Sequence, residues 1–223
     1  MANVAVEYYR SGMSNKSPMT RRGFCLLGGA AALLPAVGIG ADGPDAGEDE
    51  MRSVSALTTE RWNFFKDSYW YVPAANLRAY IYTPGSQEVT FATDQTVIHI
   101  TDYRRGYFWG VTGVQLGDGN ISYRSLVGSV TPAGSVYLAF TPFDAGRNAT
   151  VTQGFGEMQK KLGQWTMVNQ MSSGPGAQLS IFHWAYMLQT KPGRRTWDSL
   201  PGSGLSVPEF LQDCPPGPEL RRA

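Results

Sequence analysis

The chain has 223 residues, with 19 Lys plus Arg against 18 Asp plus Glu, two histidines and two cysteines. A balance so close to neutral gives no basic surplus to follow a phosphate backbone, which argues against nucleic acid as a partner. Two cysteines cannot build a disulfide framework, so the fold must rest on its 42% of hydrophobic residues.

The first element is a signal-like leader. In "MTRRGFCLLGGAAALLPAVGIGADG", Arg21 and Arg22 stand directly ahead of an apolar run from Phe24 to Ile39, broken only by Gly and Pro35. The run is the length of a signal-peptide core and shorter than the roughly 20 apolar residues of a membrane span, so no stable span is expected. The order Thr20, Arg21, Arg22, Gly23, Phe24, with Cys25 and Leu26 following, resembles a twin-arginine export signal. That resemblance implies passage through the Tat translocase, a bacterial periplasmic or secreted location, and removal of residues 1–41. A buried apolar helix or a retained anchor is the other reading of the same run.

Arg10, Lys16, Arg21, Arg22 and Glu7 fall within residues 1–41, leaving 15 basic and 17 acidic residues and a net charge of −2. The next segment, residues 42–57, begins with "DGPDAGEDE" and is read as a solvated acidic linker. A barrel domain is expected over 58–193, and a C-terminal extension with one short helix over 194–223. Cys25 falls in the signal and Cys214 in "DCPPGP", where a stiff tail makes a poor nucleophile site.

Within the domain, "TTERWNFFKDS" predicts a short helix before the strands. From about Val89 one device repeats: a β-branched or aromatic run, then a short Gly, Asn or Pro turn. "QTVIHITDY" leads through "RRG" to "YFWGVTGVQL", through "GDGN" to "ISYRSLVGSVT", and through "PAG" to "SVYLAFTPF". "ATVTQGFGEMQ", "QWTMVNQMSS" and "AQLSIFHWAYMLQT" continue it, with "LRAYIYT" as an earlier strand. Connections of two to four residues join antiparallel neighbours. Seven to eight such strands predict an all-β, up-and-down meander closed into a barrel, since closure removes the edges; a two-sheet sandwich is the alternative. "SVPEFLQDC" predicts the C-terminal helix, from a capping box of Ser206 and Glu209 with Pro208 in the first turn.

The meander, together with the early Trp70 in "YWYVPAANL", resembles the calycin group of lipocalin- and avidin-like barrels, although Ser68 stands where a lipocalin carries Gly. The resemblance implies a small apolar or amphipathic ligand. Related closed barrels also serve isomerases and cyclases, so the fold does not choose between binding and catalysis.

The candidate residues follow from strand parity. Val97, His99 and Thr101 are expected on one face, with Ile98, Ile100 and Asp102 on the other; Ile181, His183, Ala185 and Met187 oppose Phe182, Trp184 and Tyr186. His99 and His183 are acid/base candidates, with Arg124 and Tyr103 or Tyr107 positioning an oxygen. Packed core histidines are the bland alternative, and a metal site with Asp102 or Glu157 a third. Trp109, Arg124, Tyr107, Tyr123, Trp165 and Trp184 are candidate ligand-binding residues; the same aromatics equally suit a core. No metal or cofactor is expected: there is no Cys/His cluster, no phosphate loop and no GxSxG elbow. Three functions stay open: an exported binder of a small, partly apolar ligand, an isomerase or cyclase on the same barrel, and an envelope interaction module.

Overall fold

The computed structural model describes residues 60–86, 88–143, 150–173 and 180–220, all within one compact unit of residues 47–223. The leader and the acidic linker lie outside the described residues. Nine strands occur among those described: β1 (Ser68–Tyr71), β2 (Arg78–Tyr82), β3 (Val89–Arg104), β4 (Tyr107–Leu116), β5 (Ser122–Val130), β6 (Ser135–Pro142), β7 (Thr152–Lys161), β8 (Gln164–Ser173) and β9 (Ser180–Thr190). Two short helices follow, α1 (Arg195–Asp198) and α2 (Val207–Leu211).

The strands close into an eight-stave antiparallel barrel with up-and-down order. Each strand from β3 to β9 pairs with the next, and β1 and β2 together form one interrupted stave between β3 and β9. "SYWY" is thus a strand that the sequence reading missed. Pro73, which has no N–H to donate, follows it, and a 3-10 turn at Ala74–Asn76 separates the two halves.

Polar side chains of β3 bridge that break. Outside, Gln95 donates to the Val72 carbonyl (3.1 Å) and accepts from the Gly202 amide (2.8 Å). Inside, Asp94 does the equivalent work with His183, described below.

One end of the barrel is filled by aromatics. Where a helix was expected, the chain makes only a 3-10 turn at Asn63–Phe65, which carries Trp62 and Phe65 into the barrel end. Phe65 stacks on Phe108 (5.1 Å, 5°), Trp62 meets Trp165 edge-on (5.1 Å), and the Trp62 indole donates to the Thr131 carbonyl (3.0 Å). Burying each of these rings stabilises the fold by roughly 1.5–3 kcal/mol. Ser68, in the lipocalin glycine's place, accepts from the Trp70 indole (2.9 Å). Above the plug, Ile98, Ile100, Leu126, Leu138, Met158, Met167, Ala185 and Met187 fill the interior.

A β-bulge between Ile100 and Asp102 corrects the expected faces of β3. The extra residue resets the alternation, so Asp102 points outward, on the side of His99, while Tyr103 turns in.

The stretch after β9 packs on the outside of β1, β3 and β4. Ser206 caps α2 through the expected box with Glu209, and Val207, Phe210 and Leu200 are buried against Tyr71 and Val97. Phe210 occupies a hollow left by Gly113 of β4, where an added Cβ would sit 3.0 Å from its ring.

Candidate functional site

The two histidines lie on opposite faces of the wall. Tyr69 pairs with His99 on the outer face, whereas Ala79, His183 and Met171 share the inner face. A metal site using both histidines is therefore ruled out by geometry. Among the described residues no three His, Cys, Asp or Glu side chains converge.

His183 is nearly sealed from solvent, at 4% exposure. Its Nε2–H donates to the Asn76 carbonyl (2.7 Å), since a carbonyl only accepts. Nδ1 then faces Asp94 Oδ2 at 3.0 Å, out of line for a hydrogen bond but close enough for a strong ionic attraction. The other Asp94 oxygen accepts from Thr96 Oγ1 (2.7 Å). Burial alone pulls the His183 pKa down; the Asp94 carboxylate and the Asn76 carbonyl together outweigh it, leaving the pKa raised. Nε2 and Asp94 Oδ1 are hydrogen-bonded within the protein, and Nδ1 and Oδ2 face one another as an ion pair. The group ties β3, β9 and the turn at Asn76 across the broken stave.

His99 sits in a different setting. Its ring stacks face-on with Tyr69 (4.0 Å, 10°), Trp197 of α1 meets Tyr69 edge-on (4.9 Å, 87°), and Nε2 lies 3.1 Å from Asp67 Oδ1. Among the described residues Nδ1 has no partner. Asp67 takes a left-handed backbone, φ 51°, which is uncommon for a non-glycine residue, and it directs its carboxylate onto the imidazole.

These residues border a cleft of about 350 Å³ between the barrel wall and the C-terminal stretch. Tyr69, His99, Thr101 and Val111 form the barrel side; Trp197, Leu211, Cys214 and the Pro215–Pro216 tail form the other. The tail lies so close that a Cβ on Gly217 would press on Val111 and the Gly110 carbonyl. Burial pushes the Cys214 thiol up to about 11, so it is no thiolate nucleophile near neutral pH. Burial, with a smaller contribution from Asp67, also raises the Tyr69 phenol.

The remaining candidates scatter. Tyr107 and Trp184 are exposed on the outer wall, and Tyr123, also outward, donates to the Phe210 carbonyl (3.2 Å) and so anchors α2. Trp109 borders a second outer cleft of about 500 Å³, lined by Pro218 and Leu220 as well as by Lys66, Asp102, Arg104 and Glu219, in which Lys66 pairs with Asp102 (3.3 Å). Trp165 belongs to the aromatic plug. Arg124 stands on the inner face, in register with Thr112 and Pro142, and is half-buried. Sequence reading missed Tyr69, Asp67 and Trp197, which lie outside the barrel repeats that drew attention; only the place of Tyr69 beside Trp70 marked it.

The chain matches no family model, no curated protein and no solved structure.

Proposed function

We propose that the chain is an exported β-barrel protein, sent through the twin-arginine route to the periplasm or beyond, that binds a small, partly apolar molecule in the outer cleft beside His99. One observation carries this reading: Tyr69, His99 and Trp197 are assembled from three separate elements around a space of about 350 Å³. Small-molecule sites have this size and this mixture of aromatic walls with a few polar groups. The lumen is a weaker host, because its closed half is packed and His183 is engaged by Asp94 and the Asn76 carbonyl.

Uptake of an amphipathic probe such as anilinonaphthalene sulfonate, read by the probe's own fluorescence, tests the proposal. Trp197→Ala should weaken uptake by roughly tenfold, equivalent to about 1.4 kcal/mol, while Met171→Ala inside the barrel leaves it unchanged. The reverse pattern would place the ligand in the lumen.

Asp67 and its left-handed backbone favour one second reading, an isomerase or cyclase in the same cleft. A carboxylate on one imidazole nitrogen, with the other unpartnered, is how an acid/base histidine is oriented. In that case the His99 ring must be reached by a cleft-bound molecule, and its ring carbon signals must shift in NMR when the probe binds; unmoved signals remove the role.

A further inference from the structure

The wall opposite the C-terminal stretch carries a second feature, independent of the His99 cleft. Among the outward-facing residues of β5 to β9 only Glu157 and Lys161 are charged, and Lys161 rests on the Tyr186 ring at 3.4 Å; on β2 the exposed Arg78 lies over the Phe91 ring at 4.6 Å. The rest are aromatic or uncharged polar, with Val127, Ala139, Val168 and Leu188 as the aliphatic members.

Register sets them in rows. One runs Phe182, Tyr80, Phe91 across β9, β2 and β3, flanked by Ser172 and Gln153. The next runs Trp184, Gln170, Phe155, Tyr137, Ser129 across β9 to β5. The rings are not core: Phe155 is 60% exposed, Phe182 52% and Trp184 48%. With strands about 4.8 Å apart, Trp184 and Phe155 stand about 10 Å from one another with the Gln170 amide between them.

We infer that this wall is a docking face for a neutral polysaccharide. A pyranose ring has an apolar C–H face and a rim of hydroxyls. The negative face of an aromatic ring attracts the first, and Ser and Gln side chains exchange hydrogen bonds with the second. An anionic polymer or lipid surface needs clustered cations, which the wall lacks. A second copy of the chain needs a continuous apolar centre, whereas here Gln170 separates Trp184 from Phe155, and Ser172 and Gln153 continue the row of Phe182, Tyr80 and Phe91.

The test is native affinity electrophoresis of the full chain in gels containing soluble β-glucan, dextran or xylan, with heparin as the anionic contrast. Retardation by at least one neutral polysaccharide is expected, unchanged at high salt and unchanged in His99→Ala. Trp184→Ala with Phe155→Ala should lower the affinity roughly tenfold. The double variant should still fold and melt cooperatively, with only the small loss due to the ring contacts of Phe155 with Tyr137 and of Trp184 with Tyr186, since both rings are about half exposed. Four results overturn the assignment: no retardation by any neutral polysaccharide, equal retardation of the double variant, retardation by heparin alone that salt abolishes, or a dimer in sedimentation equilibrium that the double variant dissociates.

Discussion

His99 and His183 are the same residue type at mid-strand positions, yet they do opposite things. His183 is consumed by the fold, and its raised pKa makes stability depend on pH with a definite sign. A folded pKa above the ordinary 6.5 means that the stabilisation is complete below about 6.5 and is lost as pH rises through the folded value. Thermal melting followed from pH 6 to 9 should show a fall in Tm that His183→Gln abolishes; an unchanged slope in the variant would contradict the account. Strand parity placed His183 correctly with Ala185 and Met187. It could not place Asp102, because a one-residue bulge after Ile100 leaves no mark in the hydrophobic pattern. Nor could one sequence join His99 to Asp67, 32 positions away, where the link depends on a left-handed backbone.

At the scale of elements, the outer stretch after β9 is as much a part of the fold as the strands. Phe210 is fully buried, and its hollow exists because β4 has Gly113. Phe210→Ala should cost about 3–5 kcal/mol, as for other core aromatic truncations, and denaturant unfolding measures it. A cost below 1 kcal/mol would mean that the stretch is not docked in solution. The capping box of α2 was legible in Ser206, Pro208 and Glu209, because local hydrogen bonds need local residues. Its docking was not legible, since that depends on a missing side chain about a hundred positions earlier. β1 escaped notice for a related reason: four residues before a proline are too few to show alternation, and pairing with both β3 and β9 holds the strand in place. "QGFGEMQ" now has a structural cause. A Cβ at Gly156 would strike the Val168 carbonyl and the Asn169 amide, and one at Gly154 would press on Met171.

For the whole molecule, the meander of short turns was the most legible feature, and barrel closure follows from it because every strand edge finds a partner. Which wall stays bare is decided by where the C-terminal stretch lies. Among the described residues no helix is long and apolar enough to cross a membrane. If the leader acts as a twin-arginine signal, replacing Arg21 and Arg22 by Lys will leave the chain uncleaved in the cytoplasm of a bacterial host. The native chain will be exported and shortened by about 41 residues, and mass spectrometry of the two fractions distinguishes these outcomes. The most direct test of the central claim is NMR mapping of the amphipathic probe on labelled protein. Shifts are expected at the Trp197 indole and at the Tyr69, His99 and Thr101 amides, with the inner-face Ala79, Ala92 and Met171 unmoved. Shifts concentrated on those three inner-face residues, or none at the Trp197 indole, would contradict that claim.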